Sequence, residues 1–137
     1  DRVGMVGNFG PLLGPLRERV RDLVVFERIS RPQGFLRPNE EAGAELPRCD
    51  VALISGTAIL NHTLDGLLDA ARRCRVVAVL GASTPMIPEA FRNTPVGLLS
   101  GVVVERPAEV LRTVSEGGGM RQFRGCVRKV NLGLGGG

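Results

Sequence analysis

The chain has 137 residues, 43% of them hydrophobic and 23% charged, which is typical of one globular domain that folds without disulfides or a metal. No apolar run reaches the roughly 20 residues of a membrane span and no signal peptide opens the chain, so a cytoplasmic protein is expected. The formal net charge is +4, and all 14 acidic residues lie at or before Glu116, so the excess positive charge follows that residue.

The first half of the chain alternates short apolar runs with amphipathic stretches. Val3–Val6 and Leu23–Glu27 are short, apolar and rich in β-branched residues, and they predict two strands. A helix is predicted over Pro11–Val20, because its leucines share one face and proline suits a first helical turn. Residues 30–38 are rich in proline and glycine and predict a loop. A short helix is predicted over Asn39–Leu46, with its first residue as the cap.

The second half continues the alternation. Asp50–Ser55 is apolar on both faces, as a buried parallel strand is. Three further runs predict strands, the last of them at an edge: Val76–Leu80, Val96–Val104 (one interrupted strand or two) and Cys126–Val130. Three amphipathic stretches predict helices: Thr63–Arg73, Pro88–Arg92 and Pro107–Glu116.

The order of these elements predicts an α/β fold. We expect a Rossmann-like three-layer sandwich with a mainly parallel sheet of five to six strands, in the order 2-1-3-4-5. An alternative order has an extra strand between the second and third, but residues 30–48 leave little room for it. One domain is expected over residues 1–132, followed by a flexible glycine-rich tail over 133–137. Ligands of such sheets bind beyond the carboxyl ends of the strands, where strands 1 and 3 diverge.

The first loop at this edge follows strand 1. Gly7, Asn8 and Gly10 would let a ligand approach the backbone, and the start of the next helix favours an anion. The glycine spacing is not the dinucleotide pattern G-x-G-x-x-G, although Glu27 stands where that motif has its ribose-binding acid. A tight turn beside a solvated glutamate is the simpler interpretation.

Hydroxyl and amide side chains mark the next two loops. Four of them follow the most buried strand: Ser55, Thr57, Asn61 and Thr63. Asn61 or Thr63 can cap the following helix, whereas Ser55 is too far from that helix to do so. Ser83 and Thr84 follow the next strand, where a turn held by side-chain-to-backbone bonds is the alternative. We expect these loops to share one pocket with the turn after strand 1.

The excess positive charge follows a glycine triplet, Gly117–Gly119. Such a triplet can turn several N–H groups toward an anion, so we expect Gly118 to border the pocket and Arg121 or Arg124 to pair with an acidic ligand. A solvated basic edge is the alternative. Because the rest of the chain is neutral and Trp and Tyr are absent, no nucleic-acid partner is expected.

Candidate metal ligands are sparse. Cys49, Cys74 and Cys126 are 25 and 52 residues apart, and the first two are expected at the amino edge of the sheet, so we interpret them as small buried hydrophobes. They do not form a disulfide framework. His62 is the only histidine and could ligate a metal or relay a proton. The sequence predicts no metal site built from this chain alone, and no Ser-His-Asp triad.

Four segments in this order run through nearly the whole chain: Ser55-Gly56-Thr57 with Asn61-x-Thr63, Gly81-x-Ser83-Thr84-Pro85, Gly101–Val104 and Glu116–Gly119. By these segments the chain resembles the "putative heavy-metal chelation" domain family, a Rossmann-like group of bacterial and archaeal proteins. Ala82 stands where that family usually has proline. In longer members an enolase-N-terminus-like domain precedes this one, and the resemblance implies a site in the cleft between them. It therefore implies a second domain or a second copy of the chain as partner, and a metal ion or metal complex as cofactor.

The residues favour a binding pocket over a reaction centre. We interpret the chain as a domain that binds a small anionic or metal-complexed ligand at the carboxyl edge of its sheet, in the metal-handling context that the resemblance implies. Two alternatives stay open. One is a nucleotide-cofactor-dependent enzyme of methyltransferase or oxidoreductase type, with Glu27 on the ribose. The other is a domain whose site is completed by a second domain or chain.

Overall fold

Seven strands form one sheet in the computed structural model, which describes residues 1–135 of the chain. The spatial order is β3-β2-β1-β4-β5-β6-β7, and only the β6–β7 pair of this sheet is antiparallel. The strands have these bounds: β1 Arg2–Val6, β2 Asp22–Glu27, β3 Leu36–Pro38, β4 Val51–Ser55, β5 Val76–Leu80, β6 Leu98–Val104 and β7 Val127–Gly133. The expected Rossmann-like α/β sandwich is confirmed, with β1, β4 and β5 central and β2 beyond β1.

Four α-helices accompany the sheet: α1 Gly10–Arg19, α2 Ala42–Glu45, α3 Leu64–Ala70 and α4 Pro107–Ser115. Short 3-10 turns accompany them, with two flanking α2, one following α3 and the last following α4: Asn39–Glu41, Leu46–Arg48, Gly56–Ala58, Ala71–Arg73, Pro88–Phe91 and Met120–Gln122. None of the described helices is long and apolar enough to cross a membrane.

Successive side chains of each strand point to opposite faces of the sheet, and each face packs against its own layer of helices. Val3 and Met5 of β1 face α1, where they pack with Leu13 and Leu16. On the other face, Phe26 and Ile54 pack with Leu46 and Leu67 beside α2 and α3. Burying a side chain as large as Phe26 or Ile54 contributes about 1.5–3 kcal/mol, so the two packed faces hold the sheet between helices.

The predicted strand count and order need one correction. Residues 36–38 were expected in a loop, yet they form β3, which pairs in parallel with β2 at the outer edge of the sheet. The extra strand that residues 30–48 were expected to leave little room for is therefore present. The pairing begins where the amide of Val25 donates to the carbonyl of Phe35 at 2.9 Å. A strand of three residues that ends in proline has neither an apolar run nor an alternation, so backbone pairing alone defines it.

Several helices and strands begin or end at residues other than those predicted. Asn39 does not cap a helix, because it is the first residue of a 3-10 turn with Pro38 at the N-cap position. The helix predicted to end at Arg73 gives way to a 3-10 turn after Ala70. Gly133 belongs to β7, where it pairs with Leu98, so it does not begin a tail. Leu134 donates its amide to the carbonyl of Gly97, and the last two residues of the predicted tail, 136–137, lie outside the described residues.

Candidate functional site

A cavity of about 1100 Å³ opens at the carboxyl ends of β1, β2 and β4. It lies where the sheet order reverses, since the chain continues from β1 to one side and reaches β4 on the other. Apolar residues contribute part of its lining, and they come from the strand ends and from the α3 side: Val6, Phe26, Ala58, Leu60 and Leu67. The cavity therefore occupies the place where open α/β sheets bind ligands.

Gly7 shapes the floor of the cavity between β1 and β4. Its φ is +97°, which favours glycine, and its amide donates to the carbonyl of Phe26 at 3.1 Å. A Cβ at this position would lie 2.9 Å from the Cβ of Ser55, so only glycine lets the two strand ends approach this closely. Asn8 and Gly10 do not line the cavity, because the chain turns there into α1 on the opposite face.

Ser55 and Thr57 bring paired hydroxyls to the cavity wall. Their oxygens are 2.9 Å apart, and the amide of Thr57 donates to the Ser55 hydroxyl at 3.3 Å. Ser55 thereby caps the 3-10 turn that follows β4, which corrects the expectation that it has no capping role. The exposed Thr57 hydroxyl can rotate to donate to a ligand or accept from one.

Asn61 and Arg28 connect two walls of the cavity. The Arg28 guanidinium donates to the Asn61 side-chain oxygen at 3.2 Å, which links the loop after β2 to the loop after β4. The Asn61 amide group retains two donors of its own. Neither Asn61 nor Thr63 caps α3 through its side chain, because Thr63 donates its hydroxyl to the carbonyl of Ala58 instead.

The cavity presents charges of both signs. Glu27 and Glu40 contribute carboxylates, Arg28 a guanidinium and His62 an imidazole. His62 has a φ of 56°, the left-handed region that costs an ordinary residue about 1–2 kcal/mol. Strain of this kind often marks a residue held in place for binding.

The donor set does not fit a bare metal ion. Across residues 1–135, no three His, Cys, Asp or Glu side chains come together as a metal-binding group. Cys49, Cys74 and Cys126 are buried and lie outside the cavity. Heavy-metal ions of the softer kind prefer thiolate and imidazole ligands, and the described residues of the cavity lining offer one imidazole and no thiol.

The loop after β5 does not reach the cavity. Ser83 is exposed outside it, and Thr84 is buried with its amide bonded to the carbonyl of Gly81 at 3.0 Å. The Cβ of Thr84 lies 3.3 Å from the position a Cβ on Gly101 would take, so its side chain is directed toward β6. The Thr84 hydroxyl has no hydrogen-bond partner among the described residues. Of the two hydroxyl residues expected in the shared pocket, Ser83 is therefore exposed outside it and Thr84 packs toward β6.

Gly118 and Arg121 also lie outside the cavity. The glycine triplet ends α4: Gly117 has a φ of +80° and donates to the carbonyl of Val114, and Gly118 donates to that of Thr113. These two bonds form a Schellman motif, which explains the glycines by helix termination.

Three polar residues of the cavity were not predicted from the sequence: Arg28, Asn39 and Glu40. Asn39 and Glu40 follow β3 directly, so recognising that short strand would have placed them at the carboxyl edge. Arg28 follows the predicted strand that ends at Glu27, and its position alone would have indicated it.

Comparison with known proteins adds to this geometry. The model of the family DUF364, described as "Putative heavy-metal chelation", matches residues 1–132. An uncharacterised protein of Methanocaldococcus jannaschii is 27% identical over 134 residues, which are 96% of this chain and 51% of that protein.

Two solved structures share the fold. A DUF364 protein of unknown function from Pyrococcus horikoshii has a TM-score of 0.88 at 25% identity, over 97% of this chain and 55% of that one. Another from Desulfitobacterium hafniense has a TM-score of 0.82 at 29% identity, over 96% of this chain and 52% of that one. The chain thus spans about half the length of these relatives.

Proposed function

The chain belongs to the DUF364 family, and we propose that it binds a small anionic or metal-complexed ligand in the cavity at the carboxyl ends of β1, β2 and β4. The observation that carries the proposal is the set of polar groups gathered there from separate loops. Thr57 and Asn61 supply neutral donors and acceptors, while Arg28 supplies a cation. The family description gives such a ligand a metal-related context.

The charges favour a metal complex over a bare anion. Glu27 and Glu40 repel a free carboxylate or phosphate, while Arg28 attracts it. In a complex, the metal offsets part of the anion's charge, and the remaining oxygen atoms can accept hydrogen bonds from Arg28 and Asn61. A heavy-metal chelate therefore agrees with both signs of charge in the cavity.

A nucleotide is the second candidate, and one specific observation favours it. Glu27 lines the cavity together with Gly7, at the two strand ends that hold ribose and phosphate in dinucleotide-binding sheets. Val6 and Leu60 would offer apolar contact to a base. On this hypothesis the domain serves an enzyme of methyltransferase or oxidoreductase type.

A second domain or chain is the partner that we propose for a complete site. The relatives are about twice as long as this chain, and Leu60, which lines the cavity, is 71% exposed. Sedimentation separates the two cases, since a second copy gives a dimer and a separate domain leaves this chain a monomer.

Calorimetric titration tests the proposed function. The probes are nickel(II) citrate, citrate alone, nickel(II) alone, S-adenosylmethionine and NAD. We expect nickel(II) citrate to bind, and Asn61→Ala to weaken that binding by about tenfold or more, because a hydrogen bond to a charged ligand contributes about 1.5–3 kcal/mol. Ser83→Ala is the matched control, since Ser83 lies outside the cavity.

Two outcomes would overturn the proposal. Equal affinity of the wild type and Asn61→Ala for nickel(II) citrate would show that the ligand binds outside this cavity. Binding of S-adenosylmethionine or NAD that is lost in Glu27→Gln, without binding of the citrate complex, would establish the nucleotide hypothesis instead.

A further inference from the structure

Cys49 and Cys74 are 25 residues apart in the chain, but each stands two residues before one of two neighbouring strands, β4 and β5. β4 and β5 pair in parallel with Val51 opposite Val76, and the carbonyl of Asp50 accepts from the amide of Arg75 at 2.9 Å. Both cysteines therefore lie at the amino edge of the sheet, away from the cavity.

The backbone at both cysteines is extended, just before the bends at Asp50 and Arg75 that precede β4 and β5. Cys49 has φ −96° and ψ 148°, and Cys74 has φ −67° and ψ 136°, which are extended conformations. Neighbouring strands lie about 4.8 Å apart, and a disulfide accepts Cα separations of about 4.4–6.8 Å. The two cysteines therefore precede neighbouring strands whose spacing is within the range that a disulfide can span.

The two thiols also lie on the same face of the sheet. Both cysteines belong to the core cluster beside α2 and α3. The Cys49 thiol donates to the carbonyl of Glu45 and the Cys74 thiol to that of Leu46, each at 3.5 Å. Because these carbonyls are consecutive in one turn, the two sulfur atoms lie beside the same short segment. Cys126 is elsewhere, with its thiol 3.2 Å from the Glu109 carboxylate.

We propose that Cys49 and Cys74 form a dithiol that a peroxide closes to an intramolecular disulfide. The thiolate of one cysteine attacks a peroxide oxygen, the O–O bond breaks, and a sulfenic acid and one water form. The second thiol displaces the sulfenic oxygen as another water, and the S–S bond forms. Two thiols lose two electrons and two protons in total, and one hydrogen peroxide becomes two waters.

The surroundings make this closure slow at neutral pH. Burial raises the pKa of Cys49 to about 11, and burial also raises the pKa of Cys74. Arg2 opposes the increase at Cys49, while Cys74, Glu45 and Asp22 add to it, and Asp50 adds to the increase at Cys74. Since the thiolate is the reactive form, the rate of closure should rise as the pH rises toward these pKa values.

The disulfide would enclose a functional segment. Residues 50–73 include the β4 end with Ser55 and Thr57, the loop with Asn61 and His62, and the whole of α3. A covalent link at the amino edge would therefore restrict the part of the chain that forms one wall of the cavity, and it would raise the midpoint of thermal unfolding.

Peroxide treatment of the Cys126→Ser variant tests the proposal. This variant keeps the pair and removes the third thiol, and free thiols are then alkylated in denaturant and the protein is weighed by mass spectrometry. We expect folded protein to lose two hydrogens, to take up no alkyl group, and to yield after trypsin a peptide beginning at Cys49 joined to one beginning at Cys74. The double variant Cys126→Ser/Cys74→Ser is the matched control and should form no intramolecular link.

Alkylation of both thiols after treatment of the folded variant would overturn the proposal, provided that the same protein oxidises once unfolded. Linkage between two molecules, seen as a dimer on a non-reducing gel, would also overturn it. The main variant leaves both buried cysteines in place, so its result does not depend on whether replacing them disturbs folding.

Discussion

The hydroxyl residues after β4, Ser55 and Thr57, have two roles, one in the local turn and one in the cavity wall. Ser55 accepts from the amide of Thr57 and so holds the turn after β4, while both residues line the cavity. Their position at the carboxyl edge could be predicted, because Asp50–Ser55 is an unmistakable buried run. The capping role could not, because the turn that Ser55 caps has only three residues and leaves no apolar period in the sequence.

Thr84 was expected beside these residues and instead lies buried. Its placement depends on two glycines, Gly56 and Gly101, whose missing side chains leave room for the loop after β5 to fold inward. A hydroxyl residue after a strand predicts exposure at the sheet edge, and only the packing of neighbouring strands reveals the exception.

Asp50 gives the stability of the fold a defined dependence on pH. Its carboxylate accepts from the amide of Arg2 at 2.6 Å, and this bond is the main cause that lowers its pKa in the folded protein. A lowered pKa stabilises the folded state above the ordinary pKa of an aspartate, and that stabilisation is lost as the pH falls through the folded value.

Asp50→Asn should therefore lower the free energy of unfolding at neutral pH. The difference from the wild type should shrink in acid, once the wild-type carboxylate is protonated. Urea unfolding of both proteins at a series of pH values measures this difference. A difference that stays constant from neutral to strongly acidic pH would rule out the carboxylate as its source.

At the scale of elements, β3 is the strand that the sequence pattern did not predict. Leu36–Pro38 is too short for an alternation and ends in proline, so no local signal separates it from a loop. The neighbouring strand β2 determines that this segment is a strand. Five residues of β2 pair with β1 on one side, and β3 pairs with the other side of β2. The same omission hid Asn39 and Glu40, so an error in one short strand became an error in the site.

The close approach of β4 and β5 at their carboxyl ends requires Gly56. A Cβ there would lie 2.6 Å from the amide nitrogen of Thr84 and 2.8 Å from the carbonyl carbon of Ser83, and backbone atoms cannot easily move away. Gly56→Ala should lower the free energy of unfolding by about 1–3 kcal/mol.

The matched control for that substitution is Gly14→Ala. Gly14 lies within α1, and a Cβ there would meet no side chain and no other element within 4 Å. Alanine at this position should therefore raise the free energy of unfolding by about 0.5–1 kcal/mol. Urea unfolding measures both variants. If Gly56→Ala were as stable as the wild type, that result would contradict the close packing described between the loops after β4 and β5.

For the whole molecule, the alternation of apolar runs and amphipathic stretches was enough to predict the sandwich and its central parallel strands. The cavity follows from that topology, because Gly7, Thr57 and Asn61 come from strand ends that the order makes neighbours. Gly118 and Arg121 were expected there because of charge. The positive charge of a segment does not show where the segment lies in the fold. The Schellman motif places the glycines at the end of α4, outside the cavity.

The most direct test of the central claim is a residue-resolved map of ligand binding by NMR. Nickel(II) citrate is paramagnetic and broadens the amide signals nearest the metal, and zinc(II) citrate is its diamagnetic control. We predict selective broadening at Gly7, Thr57, Asn61 and His62, with the signals of Gly118 and Arg121 unchanged. Broadening centred on Arg121, or no selective broadening at all, would contradict the assignment of this cavity as the ligand site.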